Sequence, residues 1–437
     1  MQDKEADTTL LLEFMFRLAQ AQIACGEQTA RIELLLRRIA SAYGMRKSRV
    51  IVFPTALFIT LHDGTEERIT LAEGPSYGLR LDQIAAVYAL SRAAEAGELA
   101  LRDGLERLTE VLGRRARFGS VGTVVGHAIL TTGLAMILKP SLENLGTAAL
   151  LGAIVGGLKL ANRDRPVLAV PTPVLAAALV SALVFLALEH GLHVDPAHML
   201  VPPLVTFLPG AMLTLGMVEL AYGEMISGTS RLITGFVQLV LLAFGLAAGA
   251  MLVGYSPEEL IESARGATTI SWGFWGPWLA VVVFGTGVYM HFSAPQRSFW
   301  WIMLVLLVAF TAQQLAARVF GSEISGFFGM LVATPLGYLI QERFRGPPAM
   351  VTFLPSFWLV VPGSLGLSSV THLLSDRAAG IEGLVTVIFV ITSIALGTLV
   401  GASLYKAVTE HFGAWRLQIG RVGSYVRRQR RSDDEHR

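Results

Sequence analysis

MLVPPLVTFLPGAMLTLGMVELAYGEMISGTSR, residues 199–231, decides how this chain is read. Its first part is apolar enough to enter a bilayer, yet Pro202, Pro203, Pro209 and Gly210 fall within a few turns. Proline removes an amide donor and clashes with the preceding turn, so a helix here must bend or break. Broken backbone at membrane depth is tolerated only where protein or a water-lined cavity satisfies the freed groups. An interrupted apolar segment therefore points to a transport site, with a kinked packing helix as the plainer alternative. Two acids, Glu219 and Glu224, follow the break, and then Gly228 and Arg231.

Composition agrees with a bilayer. The 437 residues are 53% hydrophobic and 16% charged, whereas soluble proteins carry about 25% charged residues. The single cysteine, Cys25, excludes an internal disulfide and a CxxC site. The histidines are scattered with no HExxH, so no metal site is expected, nor any other cofactor. The acidic start MQDKEADTTLLLEF lacks the basic character of a secretory leader, so none is expected to be cleaved. The basic tail has no aromatic interleaving, which argues against nucleic acid as a partner.

Residues 1–117 differ in kind from the rest. Residues 9–24 and 29–43 have helical periodicity with charged faces. Short strands follow at 50–53, 56–62 and 67–72, with Asp63-Gly64 turning between the last two. Residues 81–96 and 99–112 return to amphipathic helix. This reads as a small α/β soluble domain, large enough for its own core. From residue 118 onward, ten apolar spans of bilayer length are expected: 119–138, 142–160, 167–189, 198–218, 230–254, 274–292, 299–317, 323–341, 349–371 and 381–405. Trp272, Trp275, Trp278, Trp300 and Trp301 suit interfacial belts. The expected organisation is a cytoplasmic α/β domain (1–117), five-helix membrane halves (118–255 and 270–405) and a basic cytoplasmic tail (406–437).

Flanking lysines and arginines set the orientation. With the first domain inside, one set comprises Arg114, Arg115, Arg117, Lys159, Arg163, Arg165, Arg231, Arg297, Arg343, Arg345, Lys406, Arg416, Arg421, Arg427, Arg428, Arg430 and Arg431. Against these stand only Lys139, Arg265, Arg318 and Arg377, so both termini are expected in the cytoplasm. The tail reads as a solvated inside anchor or a contact for acidic lipid.

Val205-Thr206-Phe207-Leu208-Pro209 recurs as Val351-Thr352-Phe353-Leu354-Pro355, the first copy in span four and the second in span nine. Each is followed by a Pro-Gly step, Pro209-Gly210 and Pro362-Gly363, and then by a long glycine-containing helix. Five spans per half is an odd number, so a true repeat would be inverted in the membrane, with the site where the two broken helices meet.

Several stretches carry a resemblance to a known family. Gly26-Glu27-Gln28-Thr29-Ala30-Arg31-Ile32-Glu33, followed by Arg38-Ile39-Ala40 and Gly44, resembles the Gly-Ala-Ser-x-x-Arg-Val-Glu opening of the threonine/serine exporters, with Glu27 and Gln28 in place of the usual small residues. Pro209-Gly210, Leu213-Thr214, Glu219-Leu220, Gly223, Ser227-Gly228 and Arg231-Leu232 resemble that family's membrane signature. Val361-Pro362-Gly363-Ser364 resembles the Pro-Gly motif of a second half that some relatives encode separately. The resemblance implies an exporter of small hydroxylated amino acids, driven by the proton-motive force, in a bacterial cytoplasmic (inner) membrane.

Amino-acid export needs contacts for a carboxylate, an ammonium and a small side chain. Half-helix termini around Pro209, Gly210, Pro362 and Gly363, with the hydroxyls of Thr206, Thr214, Thr352 and Ser364, are the candidates. The alternative is that such hydroxyls bond their own backbone. For proton coupling the candidates are Glu219, Glu224, Glu323 and His127, with interfacial or structural roles open for each. Arg231 suits a pair with either nearby acid, or only the membrane boundary. A hydrolase centred on Cys25 in the first domain is the competing class, but no nucleophile elbow is present; regulation, gating or a homo-oligomer contact suits that domain better. No GxxxxGK[ST] loop supports a self-contained ATP pump.

Overall fold

The computed structural model describes every residue except 1, 46, 55, 63–66, 74–77, 139–140, 164, 193–198, 255–272, 361–376 and 412–437. The N-terminal unit runs α1 (Gln2–Ala24), α2 (Thr29–Ala42), β1 (Lys47–Val52), β2 (Ala56–His62), β3 (Glu67–Glu73), α3 (Leu81–Glu95) and α4 (Leu101–Gly113). The strands form an antiparallel meander in the order β1-β2-β3, with Val50 opposite Ile59 and Leu57 opposite Ala72. Alternation makes the sheet one-sided: Val50, Val52, Leu57, Ile59 and Leu61 are buried, while Ile51 and Phe58 are exposed. The buried face packs against α1 and α2, where Phe14, Met15, Leu18, Ile32, Leu36 and Ile39 complete the core. The four helices and three strands lie where hydrophobic periodicity placed them; the Asp63-Gly64 turn lies outside the described residues.

The remainder is helical: α5 (Gly119–Leu138), α6 (Leu142–Asn162), α7 (Pro171–Glu189), a 3-10 segment (Pro202–Phe207), α8 (Gly210–Ala221), α9 (Met225–Leu252), α10 (Gly276–His291), α11 (Phe299–Phe320), α12 (Ser322–Arg343), α13 (Ala349–Val360) and α14 (Arg377–His411). Among the described residues, seven of these are long and apolar enough to cross a bilayer: α5, α6, α7, α9, α11, α12 and α14. The expected span at 198–218 is no continuous helix. It divides into the 3-10 turn and the twelve residues of α8, because three prolines remove the amides a full helix would use. Pro355, in the second VTFLP copy, instead sits inside α13. Trp272, Pro362, Gly363 and Ser364 lie outside the described residues.

In hydrocarbon there is little hydrophobic drive between helices, so close packing over small residues takes its place. On α9 the split is plain: Phe236, Val240 and Phe244 are exposed along one stripe, while Gly245 and Gly249 are buried on another. A Cβ on Gly245 would lie 2.5 Å from the Val174 carbonyl oxygen, and one on Gly249 2.1 Å from that of Ala178, both on α7. The second half repeats the device. Cβ atoms on Gly397 and Gly401 of α14 would lie 2.2 Å and 2.9 Å from the Phe327 and Leu331 carbonyls of α12. Between the halves, α5 and α10 meet reciprocally: a Cβ on Gly133 would lie 2.3 Å from the Phe284 amide nitrogen, and one on Gly287 2.1 Å from that of Leu130. One sequence offset carries Gly133 to Gly287 and Leu130 to Phe284, so each half offers the other the same contact.

Alanine at Gly249 or Gly397 should overfill these contacts and lower the thermal midpoint of the detergent-solubilised protein, at a cost of about 1–3 kcal/mol. Gly157→Ala, with nothing within 4 Å of its Cβ, should leave the midpoint unchanged.

Candidate functional site

Two polar centres emerge, and the break at residues 202–210 organises the first. Thr206 lies on the 3-10 turn, which packs against α5, α6 and α7. Its Oγ1 accepts from Lys159 Nζ of α6 at 2.9 Å and stands 3.2 Å from His127 Nε2 of α5. The same ammonium reaches His291 Nε2, at the end of α10, at 3.3 Å. The imidazole rings of His127 and His291 lie 4.8 Å apart, and Lys159 Nζ sits 5.1 Å from the centre of the Phe207 ring, a cation–π contact. Carbonyls fix both tautomers. His127 Nδ1 faces the Gly152 oxygen at 2.8 Å and His291 Nδ1 the Thr123 oxygen at 2.9 Å. A carbonyl only accepts, so each Nδ1 carries a hydrogen and each neutral Nε2 is an acceptor. The hydrogen bonds therefore run one way, from Lys159 to the Thr206 hydroxyl to His127, with a branch from Lys159 to His291. His127 and His291 are sealed in the packing, whereas Lys159 and Thr206 are half-buried.

Thr206 and His127 stand out separately in the sequence, and the fold joins them. Lys159, one of the expected inside flanking charges, reaches two neighbouring elements, the 3-10 turn and the end of α10. Its one legible signal was a lysine in the last turn of a largely apolar helix. His291 carried no signal at all.

The second centre joins the N-terminal unit to the helices. Glu219, on α8, is 1% exposed. One of its oxygens accepts from the Thr29 amide, in the first turn of α2, at 3.1 Å. The other accepts from Ser227 Oγ at 2.6 Å and Arg231 Nε at 3.0 Å, and Arg231 also donates to the Glu27 carbonyl at 2.8 Å. A carboxylate at a helix N-terminus meets both free amides and a favourable dipole. Glu27 in turn accepts from Tyr88 and from the Gln28 amide, and Arg31 donates to the Tyr338 hydroxyl of α12 at 3.2 Å. Arg231 is thus a partner of Glu219. The α8–α9 hairpin closes over glycine, where a Cβ on Gly228 would lie 2.6 Å from the Gly216 carbonyl. Residues 26–33 and 219–231, read apart as two motifs, are in direct contact.

The other candidates are dispersed. Thr214 is buried on α8, its hydroxyl without a hydrogen-bond partner among the described residues, and Thr352 donates to the Ala349 carbonyl of its own helix at 2.9 Å. Pro209 and Gly210 are buried where the 3-10 turn hands over to α8. Glu323 is exposed in the first turn of α12. Glu224, ahead of α9, is half-buried, and burial followed by the charges of Glu33 and Glu219 raises its pKa. Cys25 is 4% exposed, and burial ahead of the Glu27 charge pushes its thiol far above the usual range, the opposite of an activated nucleophile.

Removing one partner from a buried ion pair strands the other, at a cost of about 3–5 kcal/mol. Arg231→Ala and Glu219→Gln should therefore loosen the N-terminal unit and speed its release by limited proteolysis. A raised carboxyl binds its proton more tightly in the folded state, so its contribution to stability falls as pH rises through that raised pKa. Glu224→Gln should flatten this decline, read as thermal midpoint against pH.

A family model described as "Putative threonine/serine exporter" (ThrE) matches residues 13–253, which include both centres except His291 and Tyr338. No curated protein and no solved structure matches the chain. With seven bilayer-length apolar helices and that match over more than half its length, the chain is an integral membrane protein and belongs to the threonine/serine exporter family.

Proposed function

We propose that the protein is a secondary transporter that exports threonine and serine from a bacterial cytoplasm across the inner membrane, with inward proton movement as the driving force. The observation that carries this reading is the family match over a chain whose backbone breaks among membrane-length helices, beside a cluster of basic and hydroxyl side chains. A break of this kind turns peptide groups and short polar side chains toward a substrate at membrane depth. Thr206, Pro209, Gly210 and Thr214 supply the first half's share; Thr352, with Pro362, Gly363 and Ser364, supplies the second. His127, bonded through Thr206 to Lys159, is the proton-coupling group this reading favours over Glu219, whose hydrogen bonds are taken up in joining the N-terminal unit.

The movement proposed is alternating access between two inverted halves. The reciprocal Gly133 and Gly287 contacts and the matched glycine-on-carbonyl pairs of α7–α9 and α12–α14 support that relation. Helix pairs packed backbone to backbone move as units, and the site between them opens to one side at a time. The N-terminal unit, on the cytoplasmic side, gates or regulates that entrance, and the basic tail faces the same compartment.

Purified protein in proteoliposomes loaded with labelled threonine should release it when the outside is acidified, and a protonophore should abolish the effect. Absence of gradient-dependent flux of any small amino acid would overturn the reading. His127→Gln should retain downhill exchange while losing acceleration by the proton gradient.

A further inference from the structure

We infer that Lys159 is the carboxylate-binding group of the substrate site, an assignment that rests on the exporter reading above. Four elements converge on this one ammonium: α6 carries it, the 3-10 turn brings Thr206 and Phe207, α10 brings His291, and α5 holds His127 behind Thr206. Among the described residues its polar partners are the neutral acceptors Thr206 and His291, and its ring contact is the face of Phe207. Among the described residues no carboxylate lies within ion-pair distance of it, in contrast to Arg231, which has Glu219 at 3.0 Å. A cation within a bundle normally has an anionic partner, since removal from water is costly without one. The fold thus holds one positive charge whose counterion is not among the described side chains.

The nature of the missing anion follows from the surroundings. Lys159 and Thr206 are the half-buried members of the cluster, so they are the ones a ligand reaches, while the two imidazoles close the site behind them. An ammonium is a point charge with three donors, of which two are already directed to Thr206 and His291. The third suits a single carboxylate oxygen. The Thr206 hydroxyl, already accepting from Lys159, lies within the reach of a small ligand held there. Fixed tautomers matter here: both Nε2 atoms accept, so neither neutral ring competes with Lys159 for an anion. A free α-amino acid brings the one carboxylate this charge lacks.

The test compares L-threonine with L-threonine amide, which keeps the ammonium and the hydroxyl but carries no negative charge. Binding to the full chain in detergent is read by thermal stabilisation, and transport is measured separately in proteoliposomes. For the wild type, threonine should bind at least about tenfold more tightly than the amide, the scale of one additional charge-assisted contact. Lys159→Gln should bring the two ligands to within about twofold of each other, chiefly by weakening threonine. Lys159→Arg keeps the charge and should keep the preference, which guards against a misfolded glutamine variant. A wild-type preference retained in Lys159→Gln overturns the assignment, as does equal binding of both ligands, or of neither, by the wild type. Carboxylate-selective binding that vanishes in Lys159→Gln, in a protein with no gradient-dependent flux, sinks the exporter reading and leaves the carboxylate site standing.

Discussion

A buried peptide group has no water to turn to, and the run from Pro202 to Gly210, packed among membrane-length helices, must meet that constraint without a full helix. It does so in three ways. Short-range bonds serve the turn, with the Leu204 amide on the Val201 carbonyl at 3.0 Å and the Leu208 amide on that of Val205 at 3.2 Å. Gln238, reaching across from α9, donates to the Phe207 carbonyl at 2.6 Å. Helices α5, α6 and α7 then surround the segment with protein. The departure from helical geometry is what aims Thr206 at Lys159 and lays the Phe207 ring beside the same ammonium. Site and break are one feature, seen from the side chain and from the backbone.

The glycine contacts give the rest of the bundle its framework, and they expose an asymmetry. The offset that relates Gly133 to Gly287 carries Lys159 onto Gln313, a polar but uncharged side chain. The two VTFLP copies differ likewise: Thr206 bonds across to other elements, while Thr352 bonds its own helix. The halves share packing but not electrostatics. On the exporter proposal, a scaffold with matched packing and its charge on one side would give the two openings of the site different affinities for an anion.

Much of the architecture was legible because it depends on local rules. Period-two alternation over 56–62 and helical periodicity over 29–43 located the N-terminal elements, and three prolines announced the break. The site was legible only in fragments. Thr206 and His127 stood out individually, but their meeting depends on how the turn packs against α5, which no local pattern encodes. Lys159 was hidden by a sound rule, since lysine near a helix end usually marks an interface. Glu219 was recognised as an unusual acid. Its pairing with Arg231 was among the expected options, but the partner that ties it to the N-terminal unit, the amide of Thr29, is backbone and therefore invisible to any search for charged pairs.

That last contact has a consequence for how the protein is made. Thr29 and Glu219 are 190 positions apart, and the Glu27 carbonyl lies 204 positions before Arg231. During synthesis the first turn of α2 leaves the ribosome long before its capping carboxylate exists. The N-terminal unit must therefore wait, hydrated, while α5 to α8 are inserted. It is completed only if those helices enter with the α8–α9 hairpin returned to the side where the unit waits. A first half threaded the wrong way would deliver Glu219 and Arg231 to the opposite face. The buried pair thus ties the seating of the earliest part of the chain to where the α8–α9 hairpin ends up.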